Sequence, residues 1–82
     1  MKKYYVYLVR CNDFSLYCGI TTDLMRRFYE HNHSDKAAKY TRSRRPVTLV
    51  WWVEVENKSQ ALKEEIRIKK LKKSEKEKLI VK

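Results

Sequence analysis

Acidic residues are scarce in this chain: ten Asp and Glu stand against twenty Lys and Arg in 82 residues, a formal net charge of +10. So large a surplus on a small domain points to phosphates or an anionic membrane surface. The bland alternative is a soluble basic protein whose Lys-rich helix is merely solvated. Glycine and proline occur once each, as Gly19 and Pro46, which argues against extended disorder and makes both residues punctuation. Cys11 and Cys18 are the only cysteines. They are too few for a disulfide framework and lack metal-ligand spacing, so they read as small, half-buried strand residues in a reducing cytosol. Long apolar runs are absent too. The stretch from Tyr4 to Val9 is too short for a signal peptide or a membrane span, and Arg10 ends it. These absences lead us to expect a cytoplasmic protein with no membrane partner.

What is present is one domain's worth of core, over residues 1–82, with two Trp, six Tyr and two Phe among the aliphatics. Tyr4 to Arg10 is apolar on both faces and predicts a central strand. Asn12-Asp13 signals a turn, and Leu16 to Ile20 returns as a second strand with Gly19 near its end, where a side chain would block a bend or a close backbone approach. A helix is predicted from about Thr22 as N-cap, with Asp23 in its first turn and Leu24 and Phe28 as its buried stripe. Residues 36–45 form a basic segment with at most one helical turn, around Ala37-Ala38. Val47 to Val55 alternates as a strand with Val47, Leu49, Trp51, Val53 and Val55 on one face. Trp51 and Trp52 must then point to opposite faces, one to the core. Ser59 opens a second long helix with an apolar side of Ala61, Leu62, Ile66, Ile68 and Leu71, and Ser74-Glu75-Lys76-Glu77 has the form of a capping box for a last short helix. The expected fold class is α/β (α+β): a small three-stranded antiparallel sheet flanked by helices, in the order β-β-α-(α)-β-α-α.

One constellation stands out: Tyr7, Tyr17-Cys18-Gly19, Arg27, His31 and, much later, Glu65. It combines two strand tyrosines, a helical Arg/His pair and an acidic residue on an apolar helix face. Tyr5-Val6-Tyr7, nine intervening residues, then Tyr17-Cys18-Gly19 resembles the two-part signature of the GIY-YIG nuclease superfamily. Gly19-Ile20-Thr21-Thr22-Asp23-Leu24, Arg26-Arg27 and Glu30-His31 continue the likeness. Ala38-Lys39-Tyr40-Thr41, Arg44-Arg45-Pro46-Val47 and the stretch from Ala61-Leu62 to Ile68-Lys69-Lys70-Leu71 extend it over nearly the whole chain, in the manner of the small stand-alone GIY-YIG proteins of bacteria. The departures are Tyr5 and Val6 for the first Gly and Ile, Cys18 for the second Ile, Ile20 where some relatives have Lys, and no counterpart of the Asn that some carry after the glutamate helix.

The resemblance implies a DNA endonuclease that hydrolyses phosphodiesters with Mg²⁺ or Mn²⁺, structure- or backbone-directed, in DNA repair or processing. Tyr7 matches the signature tyrosine proposed to deprotonate the attacking water. A phenol with a pKa of about 10 needs nearby positive charge or a metal-activated water for that role. Tyr17 matches the second tyrosine, which orients water or phosphate. Arg27 matches the catalytic arginine, an always-charged fork for phosphate oxygens. His31, one turn further along the helix, is placed to donate to phosphate or to assist proton transfer. Glu65 matches the metal-binding glutamate. Helical geometry favours it over Glu64, since it falls about 25° from the centre of the apolar stripe and Glu64 about 75°. A salt bridge from Glu65 to Arg27 is the structural alternative.

Lys36, Lys39, Tyr40, Arg42, Arg44 and Arg45, with Thr41 among them, read as an edge that contacts the nucleic-acid backbone. The Lys69 to Lys78 run is either more of the same or a solvated face laced with Glu75 and Glu77. The expected molecule is a monomer; pairing of two copies on DNA and an accessory targeting protein are left open by the sequence. Two rivals stand beside the enzyme: a binding module of the same fold that does not cut, and an RNA- or ribosome-associated basic protein. If about five phosphates were neutralised, log K would fall against log[salt] with a slope near −4.5.

Overall fold

The computed structural model describes residues 3–81. β1 (Tyr4–Arg10) is the middle strand of a three-stranded antiparallel sheet, between β2 (Leu16–Thr21) and β3 (Thr48–Val55). Its central position explains the unbroken apolar run, because Val6 to Val9 are all buried. The β1–β2 register sets Tyr7 opposite Gly19 and Val9 opposite Tyr17.

Each face of the sheet has its own core. Val6, Leu8 and Cys18 point to one face and meet Ala61 and Ile68 of α3 (Lys58–Lys69), with Leu79 and Ile80 of α4 (Lys73–Ile80) packed against the same cluster. Tyr7, Val9, Cys11 and Val47 occupy the other face with Leu24 and Phe28 of α1 (Leu24–His33). A single turn, α2 (Lys39–Arg42), lies beside α1. It follows the expected Ala37-Ala38 position, with Ala38 as its N-cap.

Several local expectations change. Residues 47–55 do not keep one face throughout. Leu8 pairs with Trp51 but Val9 pairs with Leu49, so Val50 is an extra residue in a β-bulge. The bulge turns Val47 and Leu49 toward α1 and leaves Trp51, Val53 and Val55 facing α3 and α4. Trp52 is the outward tryptophan, exposed as adjacency to Trp51 requires. On α3 the buried line is Ala61 and Ile68, while Leu62 and Ile66 are exposed. Three helices start at other residues than expected. Asp23, not Thr22, caps α1 and accepts from Arg26 N at 3.1 Å. Asn57, not Ser59, caps α3 and accepts from Gln60 N at 2.9 Å. Glu75 closes the start of α4 by accepting from Lys72 N at 2.9 Å, so Ser74 lies inside the helix. Both cysteines are free and buried rather than half-buried.

Candidate active site

The site grows from Gly19. A Cβ there would lie 2.4 Å from the Tyr7 hydroxyl oxygen and 2.6 Å from Cζ, so only glycine lets the Tyr7 ring lie across the edge strand β2. Tyr7, 2% exposed, places its hydroxyl 2.6 Å from Nε2 of His31 on α1. The other ring nitrogen of His31, Nδ1, lies 2.7 Å from Thr41 Oγ1 on α2, and Thr41 donates in turn to Ala38 O at 3.0 Å. His31 and Thr41 are both 0% exposed. One continuous polar chain therefore runs through the core on the α1 face, with every member satisfied, as a buried network requires.

Tyr17 stands against this chain. Its ring meets the His31 ring edge-on at 5.5 Å and stacks on Tyr40 at 5.8 Å. Arg44 covers Tyr40, its guanidinium 3.9 Å from the ring centroid, and also binds Asp13 at 3.0 Å. Arg27 is held by Glu30 at 3.0 Å and by the Lys36 carbonyl at 2.8 Å. Its positive charge also favours the ionised form of the Tyr7 hydroxyl. The alternative pairing of Arg27 with Glu65 gives way to the one with Glu30, one helical turn away.

Burial dominates the electrostatics. It pushes the Tyr7 phenol well above its ordinary range, with Tyr17 adding to the shift and Arg27 opposing it. Burial, helped by the Arg27 charge, pulls His31 down from 6.5 to about 4. At neutral pH the pair is a protonated phenol against a neutral imidazole. With both ring nitrogens engaged and no exposed surface, His31 is not available to bind phosphate directly, which corrects the expectation that Arg27 and His31 would share that task. The Arg27 side chain, by contrast, is 23% exposed.

Glu65 approaches from the other side of the sheet. It lies on α3 within electrostatic reach of Cys18, the β2 residue beside Gly19, and its ion pair is with Lys69 at 3.3 Å. Its helix packs on the opposite face of the sheet from the Tyr7 cluster. Its side chain is 18% exposed against 27% for Glu64, which is committed to Arg67 at 2.7 Å. Glu65 is thus the more available carboxylate, although the buried line of α3 runs elsewhere than the expected apolar stripe. Among the described residues no three His, Cys, Asp or Glu side chains cluster around a point. A single carboxylate paired only to an exposed lysine fits a hard cation that keeps most of its waters, the usual habit of Mg²⁺.

The basic edge divides into two groups. Lys36, Lys39 and Arg42 are exposed. Arg45 is not a surface cation but a helix cap, donating to His31 O at 2.7 Å, Glu30 O at 3.3 Å and Ser34 O, the loose carbonyls at the end of α1. Arg44 is likewise tied to Asp13 and to Tyr40 O. Thr41, expected at this edge, is buried. Sequence reasoning missed both internal roles, since the partners lie 10 and 14 residues away in the chain. In the Lys69 to Lys78 run, Lys69 and Lys73 pair with Glu65 and Glu77. No helix among the described residues is long and apolar enough to cross a membrane.

Comparison with known proteins gives a consistent answer. The family model of the GIY-YIG catalytic domain matches residues 3–78. The chain is 49% identical to the UPF0213 protein DP2720 of Desulfotalea psychrophila over 94% of this chain and 70% of that protein. It is 48% identical to the UPF0213 protein of Syntrophus aciditrophicus over 98% and 92% of the two chains. Two solution NMR structures resemble the fold at 42% identity, each covering 95% of this chain and 82% of the other. They are the UPF0213 protein BH0048 of Bacillus halodurans, with a TM-score of 0.61, and EF2693 of E. faecalis, with a TM-score of 0.66. With Tyr7, Tyr17 and Gly19 on paired strands and Arg27 and His31 on the following helix, the chain belongs to the GIY-YIG domain family.

Proposed function

We propose that this protein is a metal-dependent DNA endonuclease acting on the phosphodiester backbone. The observation that carries this reading is the hydroxyl of Tyr7, held 2.6 Å from Nε2 of the buried His31, with the Arg27 charge acting on the same phenol. In the proposed reaction a water oxygen forms a bond to phosphorus while its proton passes to the Tyr7 oxygen. The Tyr7 proton passes to His31 Nε2 in the same step. The bond from phosphorus to the leaving oxygen breaks, and that oxygen takes a proton from solvent.

Each residue has one task in this reading. Arg27 holds two phosphate oxygens and offsets the charge that builds on them. Tyr17 orients the phosphate or the attacking water. Glu65 would hold Mg²⁺ or Mn²⁺, which would supply Lewis-acid stabilisation of the phosphate when bound. His31 ends each turnover as an imidazolium in an apolar site, so the proton transfer is uphill and depends on the negative charge of the attacked phosphate. Lys36, Lys39 and Arg42 are the exposed contacts to the backbone. Arg44 and Arg45 support them from within the fold. DNA repair or processing is the setting this chemistry suits.

A second reading, a module that binds without cutting, draws on one observation: burial holds the Tyr7 proton more tightly than in an ordinary phenol. Nicking of supercoiled plasmid and of branched DNA in Mg²⁺ or Mn²⁺ separates the two. Cleavage by the native protein, lost with chelator and in Glu65→Ala, supports the enzyme. Salt-sensitive binding without cleavage on every substrate supports the module.

A further inference from the structure

We propose that Thr41 is a positioning residue: its hydroxyl holds His31 in the Nδ1–H tautomer and so keeps the Nε2 lone pair facing Tyr7. Neutral imidazole carries one N–H and one bare nitrogen, and which is which follows from what each nitrogen faces. The Thr41 end of the buried chain gives the direction. Thr41 Oγ1 lies 3.0 Å from Ala38 O, a group that only accepts. The single hydroxyl proton is used there, so the Thr41 oxygen is left to accept from His31 Nδ1 at 2.7 Å. With the ring proton on Nδ1, Nε2 is left bare, and the Tyr7 hydroxyl donates to it at 2.6 Å.

Donors then run one way through the core, from Tyr7 to His31, Thr41 and the Ala38 carbonyl. The reverse arrangement would turn the Thr41 hydrogen away from Ala38 O and set an Nε2–H against a Tyr7 oxygen that must then send its own proton elsewhere in a buried site. The consequence for chemistry rests on the nuclease reading above. Only the Nδ1–H tautomer lets His31 take the Tyr7 proton, so Thr41, buried and remote from any phosphate, governs the relay without touching the substrate.

The ring ¹⁵N shifts of His31, read by long-range ¹H–¹⁵N correlation in the native protein at pH 7, decide this without any activity. The expected result is a protonated Nδ1 and a bare Nε2. In Thr41→Val, which keeps the shape and removes the oxygen, the Nδ1–H loses its acceptor and the spectrum should move toward Nε2–H. Thr41→Ser should restore the native pattern. Nicking should follow the tautomer, falling at least about tenfold in Thr41→Val and returning in Thr41→Ser, the range in which a positioned proton acceptor acts. A native protein with Nε2–H, or a Thr41→Val spectrum identical to native, overturns the assignment. If the tautomer is as stated and the native protein never nicks DNA, the nuclease reading fails and the role of Thr41 in the fold stands.

Discussion

Burying a neutral histidine makes the fold sensitive to mild acid, and the size of the effect can be worked out. His31 ionises at 6.5 in an unfolded chain and at about 4 in the core, where burial is the main cause and the Arg27 charge adds to it. Between those values the unfolded chain holds the extra proton, so stability rises with pH across this window and falls as the solution is acidified. Full stability is present above pH 6.5. About 2 kcal/mol is lost by pH 5 and about 3 kcal/mol by pH 4, and the loss levels off about one unit below that. The carboxylates held down by ion pairs, such as Glu77, kept at about 2 by Arg10 and Lys73, act in the same direction but mostly below pH 4.5. The loss between pH 7 and pH 5 therefore belongs chiefly to His31. Urea unfolding at pH 7 and pH 5 measures it, with His31→Gln as the variant that removes the titration, and an NMR titration of His31 in the native state gives the folded value directly. A native His31 that titrates near 6.5, or an equal loss in His31→Gln, would refute the reasoning.

Gly19→Ala places a methyl 2.4 Å from the Tyr7 hydroxyl, so the ring must move. The expected cost is about 1–3 kcal/mol in a urea midpoint, with loss of the Tyr7–His31 bond seen as a shifted His31 Nε2 resonance. The two kinds of basic residue should separate cleanly. Arg45→Ala strips a charged donor from the end of α1 and should cost about 2 kcal/mol of stability. Replacing Lys36, Lys39 and Arg42 together by Ala should leave stability nearly unchanged while making the salt dependence of DNA binding shallower by about 0.9 for each phosphate no longer neutralised. The Cys18 thiol, pushed up to about 12 by burial, and the buried Cys11 thiol should resist a thiol reagent at pH 8 in the native protein. Both should react fully in denaturant, and prompt native labelling would contradict the packing.

The parts of this molecule legible in the sequence are those set by short-range pattern or fixed spacing. Unbroken apolar character marks β1 as central, and adjacency alone puts Trp51 and Trp52 on opposite faces. Tyr7, Tyr17, Gly19, Arg27 and His31 follow one another at intervals that two strands and a helix translate directly into a cluster. What is illegible depends on partners distant in the chain. The bulge at Val50 shows only in the pairing with β1, and without it the alternation in residues 47–55 assigns Val47 and Leu49 to the wrong face. Leu62 and Ile66 have the composition of a buried stripe, but the sheet meets α3 along Ala61 and Ile68. Charge composition cannot separate an arginine facing solvent from one that caps a helix, so in sequence Arg45 looks like Lys36. Thr41, set among basic residues, gives no sign that its hydroxyl meets His31.

The most direct test of the central claim is single-turnover cleavage of a branched DNA by Tyr7→Phe beside the native protein, with binding of the same DNA measured for both. The account predicts metal-dependent cleavage by the native protein and loss of at least about a hundredfold in Tyr7→Phe, a scale set by general-base catalysis, with binding unchanged. Equal cleavage by the two proteins would contradict it.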